Sequence, residues 1–122
     1  MSTDDLVVEQ TNGVCVVTFH SVSILDAVAV EAIGGKLFEL VDRQARRKLV
    51  LDFSEVRFLT SQMLGVLIAL HKKSAAIDGK VVLCGIRPDL GKVFKVTRLD
   101  KLLSFAADQE AAWKIFGVSA KA

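Results

Sequence analysis

The sequence predicts an α/β fold: one domain with a mixed sheet and about four helices packed against it. Three observations carry this. Short β-rich apolar runs alternate with longer runs of helical periodicity, the pattern of strand-helix-strand units. The first two β-rich runs, Leu6–Gln10 and Val14–Phe19, are separated by Thr11-Asn12-Gly13, and Asn-Gly between such runs signals an antiparallel hairpin. Finally, Leu49-Val50-Leu51-Asp52-Phe53 is short, apolar and bounded by charge, as a buried strand should be, and it precedes an apolar run from Met63 to Ile77 too long for a strand. The later strand-helix-strand units should be parallel with right-handed crossovers.

Length and composition fit this class. The 122 residues are enough for one domain with a real core. Hydrophobic residues make up 52%, with a single proline, which favours a globular chain over a disordered one. The 16 basic against 14 acidic residues leave a net charge of +2, too little to argue for nucleic acid. The start, Met1-Ser2-Thr3-Asp4-Asp5, is acidic where a secretory signal is basic. No apolar run reaches the roughly 20 residues that span a bilayer. A cytoplasmic protein, not embedded in a membrane, is expected. Cys15 and Cys84 fall inside predicted strands and read as free core thiols. No metal site is expected, because His20 and His71 have no ligand spacing with the cysteines.

In chain order, His20 to Leu25 reads as a connection, with Ser23 or Asp26 able to cap the helix that follows. Between Asp26 and about Ala45, Val30, Ile33, Leu37, Leu40 and Val41 recur at spacings of three and four, one face of an amphipathic helix. Gly34-Gly35 within it costs about 1 kcal/mol per glycine relative to alanine. A close approach to a neighbour, a kink or a functional hinge would explain the pair. Arg43, Arg46, Arg47 and Lys48 are placed at the helix C-terminus, where the dipole favours cations. Ser54 to Leu59 connects the central strand to the helix from Met63, whose first half should be buried before His71-Lys72-Lys73 emerge.

Asp78-Gly79 marks a turn, Lys80–Cys84 a strand, and Gly85-Ile86-Arg87 a loop into a short helix with Pro88 in its first turn. Leu90, Val93 and Phe94 give that helix an apolar face. A last short strand is expected around Leu102-Leu103-Ser104-Phe105. Asp108 then caps a final helix that packs through Ala112, Trp113 and Phe116.

No enzyme constellation is present: no phosphate-binding glycine loop, no zinc-protease helix motif, and no nucleophile elbow around Ser61. No catalytic residues and no cofactor are assigned. What stands out is Thr60-Ser61-Gln62, two hydroxyls and an amide at a helix N-terminus, where unpaired N–H groups and the positive dipole end meet. From the residues alone, Ser61 is a candidate N-cap.

The order of elements and the wording of three stretches resemble the STAS domain, and within it the anti-sigma factor antagonists. The stretches are Leu49 to Ser61, Lys80 to Pro88 and Val93 to Leu103, and the resemblance spans nearly the whole of 1–122. It implies a protein-interaction module that regulates transcription by binding an anti-sigma factor that is also a serine kinase. The family's loop reads Asp-Ser-Ser/Thr-Gly-Leu-Gly; here the aligned residues are Thr60, Ser61, Gln62, Met63, Leu64 and Gly65. Ser61 matches the phosphoacceptor, with Thr60 the rival hydroxyl, and Leu64 and Gly65 also match. Thr60, Gln62 and Met63 depart from the pattern. The resemblance implies partner binding at Thr60, Ser61, Gln62, Met63 and Leu64, with Met63 filling either a partner's groove or the domain's own core. Other STAS settings leave two alternatives: an unphosphorylated adaptor in a complex such as a transporter, and a small-ligand sensor.

Overall fold

A computed structural model describes residues 6–20, 23–24 and 27–117. Strand β1 (Leu6–Thr11) pairs antiparallel with β2 (Val14–Phe19), Leu6 opposite Phe19 and Thr11 opposite Val14. Asn12 and Gly13 make the turn at φ 54° and 81°, the left-handed pair that a two-residue hairpin of this twist requires. Strands β3 (Ser23–Ile24), β4 (Lys48–Asp52), β5 (Phe58–Leu59), β6 (Lys80–Cys84) and β7 (Ser104–Ala106) follow. The main sheet runs β1-β2-β4-β6-β7, parallel from β2 onward, and β3 pairs with β5 in a separate parallel ribbon. The helices are α1 (Ala27–Asp42), α2 (Ser61–Ala76), α3 (Pro88–Val96), the single turn α4 (Leu99–Leu102) and α5 (Gln109–Ile115).

Strands β2, β4 and β6 are buried on both faces, so they read as continuous apolar runs. Alternate residues serve two cores. Cys15, Val17, Leu49, Leu51, Val81 and Leu83 meet α1, α2 and α3. Val14, Val16, Val50, Val82 and Cys84 meet Ala112 and Trp113 of α5.

Several expectations are corrected in detail. Helix α1 ends at Asp42, so Arg46, Arg47 and Lys48 lie beyond it. Ser23 belongs to β3, four residues before α1 begins, while Asp26, the other proposed cap, lies outside the described residues. The connection after His20 and the one after Ser54 each contain a two-residue strand. The last strand begins at Ser104, because Leu99 and Leu103, four apart, are both buried around the single turn of α4. Gly34 is a close approach: a Cβ there would lie 3.3 Å from Val66 Cγ2 on α2, whereas Gly35 faces open space. Pro88 opens α3, and Asp108 Oδ1 accepts from Ala111 N–H at 2.9 Å as the cap of α5.

Candidate functional site

The loop from β4 to α2 is held on several sides. At the end of β4, buried Asp52 accepts from the Ser54 N–H through Oδ1 at 2.8 Å and from the Gln109 amide through Oδ2 at 2.6 Å. This ties the loop to the start of α5. Phe53 N–H donates to Cys84 O at 2.9 Å, and its ring stacks on Phe19 with centroids 4.6 Å apart. Gly85, at φ 70°, lets β6 come so near that a Cβ would lie 3.0 Å from Ser54 Cβ. Arg87 Nε donates to Ser54 O at 3.0 Å, and His20 Nδ1 pairs with Glu55 Oε2 at 2.7 Å. Pairing of β5 with β3 then delivers the chain to Thr60.

Thr60 is the N-cap of α2. Its backbone is extended (φ −88°, ψ 163°), and Oγ1 accepts from Met63 N–H at 3.2 Å. Ser61 is therefore the first helical residue rather than the cap, and it is exposed beside exposed Gln62. Helix geometry leaves the Ser61 and Gln62 N–H groups without an intrahelical acceptor. The first turn carries no acidic side chain, so nothing there opposes a negative charge placed on Ser61.

Met63 and Leu64, expected on the docking surface, point into the core at 0% and 8% exposure. Of the two roles open to Met63, the domain's own core is the one it fills. The accessible corner is thus Ser61 and Gln62 with half-buried Thr60. Phe58, three residues before Ser61, is 54% exposed, in the stretch that the sequence presents only as a connection. Its signal was an aromatic residue between charged Arg57 and the polar Thr60-Ser61-Gln62 run. No group of three or more His, Cys, Asp or Glu side chains among the described residues could hold a metal ion. No helix among them is long and apolar enough to cross a membrane.

An open mixed sheet with α1, α2 and α3 on one face and α5 on the other, and a polar loop presented at a helix start, define a class, and comparison places the chain within it. The STAS domain family profile matches residues 5–112; the chain belongs to the STAS domain family. BtrV of Bordetella bronchiseptica, named as a candidate anti-sigma factor antagonist, is 25% identical over 111 residues, 91% of this chain and 93% of BtrV. An anti-sigma factor antagonist from Mycobacterium paratuberculosis has a crystal structure that matches with a TM-score of 0.79 at 28% identity, covering 90% of this chain and 91% of that one. The phosphorylated form of SpoIIAA, a cell fate determinant of Bacillus, matches with a TM-score of 0.70 at 22% identity over 90% of this chain and 98% of that one. Its unphosphorylated form gives the same TM-score over 93% and 99%. At that identity the SpoIIAA likeness concerns the fold.

Proposed function

We propose that this protein is a cytoplasmic anti-sigma factor antagonist, a protein-interaction module with no catalytic step of its own. Its partner is an anti-sigma factor that is also a serine kinase, and Ser61 is the switch. The observation that carries the reading is the division of labour between the two hydroxyls. Thr60 Oγ1 is engaged as the helix cap, whereas Ser61 is exposed at the first position of a 16-residue helix. A phosphate on Ser61 would meet free N–H groups and the positive dipole end, so the fold tolerates it. At an interface the same two negative charges must be desolvated, and without a cationic partner that opposes docking.

Two of the three departures from the family loop have physical substitutes. Threonine and aspartate both serve as N-caps, so Thr60 keeps the capping acceptor. Met63 is core, so its bulk adds nothing to the surface. Gln62 alone changes the accessible chemistry. BtrV and the mycobacterial antagonist are relatives whose names agree with this reading.

Calorimetric binding to the partner kinase captured from native cells tests it. Ser61→Asp should weaken affinity by about tenfold or more, the equivalent of about 1.4 kcal/mol, with little change in melting temperature. Ser61→Ala should bind like wild type and lose phosphorylation, and phosphopeptide mapping should place the phosphate on Ser61 and not on Thr60. Equal affinities for all three proteins would remove the switch and leave the constitutive adaptor.

A further inference from the structure

The cations after α1 form a second surface. The chain leaves α1 through a tight closure in which Ala45 N–H donates to Val41 O at 3.1 Å and Arg46 N–H to Leu40 O at 2.9 Å, with Ala45 at φ 51°. Arg46 and Arg47 lie in the connection, and Lys48 opens β4. The parallel register then sets Lys80 opposite Lys48, and Lys80 N–H donates to Arg47 O at 2.7 Å. Arg43, Arg46, Arg47, Lys48 and Lys80 thus gather at the rim where β4 and β6 begin. They carry +5 in a chain whose net charge is +2, so everything else nets −3.

The fold makes little use of these charges. The dipole of α1 fades within its last turn and accounts for Arg43 alone. Like charges opposed on neighbouring strands are destabilising. Of the nearby carboxylates, Asp42 is engaged by Lys73 at 2.9 Å, and Asp78, in the turn before Lys80, leaves the rim with a net charge of +4 (five cations less one carboxylate). None of the five has a carboxylate within ion-pair distance among the described residues.

We propose that this basic rim docks an acidic segment of a partner protein, at the end of the domain opposite Ser61. Arginine forks match carboxylates two bonds at a time, and three of the five are arginines. None of the exposed large apolar side chains belongs to the rim, so it lacks the wedge that seats a protein in a lipid surface. It has no aromatic platform for unpaired bases, and it presents a loop rather than an element that fills a duplex groove. Helix α2 separates the rim from Ser61 by about 24 Å, 16 residues at 1.5 Å each. Both ends can be occupied at once.

The test is titration of the isotope-labelled full chain with a synthetic peptide of alternating Glu and Asp, followed by amide shifts at about 0.15 M salt. Saturable shifts should be confined to residues 43–48 and 78–81. The triple variant Arg46→Gln, Arg47→Gln, Lys80→Gln should lose at least about tenfold in affinity. Its melting temperature should hold or rise, because a like-charge pair is relieved, and Lys80→Gln alone supplies the same control with one change. Ser61→Asp should leave peptide binding unaltered, which separates this surface from the switch. Shifts centred elsewhere, or an unaltered affinity in the folded triple variant, would overturn the assignment. So would tighter binding of a random DNA duplex or of phosphatidylglycerol vesicles to the same residues.

Discussion

Cys84 and Ser74 show what burial does to single polar groups. Burial pushes the Cys84 thiol up to about 12, helped by the negative charges of Asp52 and Asp108. Burial also raises Cys15, with Arg46 opposing. Both are free thiols, so both should label slowly in the folded protein and be recovered reduced by mass spectrometry without reductant. The pH consequence has a definite sign. A folded value above the ordinary 9.0 means that the native state holds its proton longer than the unfolded chain. The Cys84 contribution is therefore fully present below pH 9.0 and is lost as pH rises toward about 12. Urea midpoints measured across that window should fall, and Cys84→Ala should flatten the decline. Ser74 is the opposite case: its buried hydroxyl has no hydrogen-bond partner, so Ser74→Ala should be neutral or stabilising by about 1 kcal/mol in the same assay. The core role of the cysteines was legible from their flanking valines and leucines. The choice of Thr60 over Ser61 as cap was not, since Thr60, Ser61 and Gln62 are consecutive polar residues and backbone geometry alone fixes where the helix begins.

Elements long enough to show a period were legible, and those set by distant pairing were not. Helices α1 and α2 and strands β2, β4 and β6 each carry their own apolar pattern. Strands β3 and β5 have two residues each and exist only because Ser23 and Ile24 meet Phe58 and Leu59 across the chain. The facing of Lys48 and Lys80 is likewise a matter of register between separate strands. Two substitutions test the elements. Leu67 on α2 is 1% exposed, and Leu67→Ala should cost about 2–5 kcal/mol in chemical unfolding; a loss below about 1 kcal/mol would mean the helix buries another face. Ala45, which closes α1 in the left-handed region, occupies a position where glycine is at ease. Ala45→Gly should raise the unfolding midpoint, a gain of about 1 kcal/mol from relieved backbone strain.

At the scale of the molecule, one short helix covers the second face of the sheet, and the question is whether it unfolds with the rest. Helix α5 has only 7 residues, too few to be stable alone. The Asp108 cap fixes its first turn, and two attachments hold it to the rest of the chain: Trp113, buried in one cluster with Val16, Val50 and Val82, and the Gln109 amide on Asp52. The last of these also reaches the loop that presents Ser61, through the second oxygen of Asp52 on Ser54 N–H. Detaching α5 would strip cover from residues at the centre of β4 and β6 and free one side of a buried carboxylate, so local detachment should cost nearly as much as global unfolding. Trp113 is the only tryptophan, so its fluorescence reports on α5 while far-ultraviolet circular dichroism reports on the whole chain. The two signals should give coincident urea transitions. Gln109→Ala removes a hydrogen bond to a charged group and should cost about 1.5–3 kcal/mol, lowering both midpoints together. A fluorescence transition that precedes the circular dichroism one, in wild type or in Gln109→Ala, would show that α5 is a separately detachable cover and that Asp52 does not join it to the Ser61 loop.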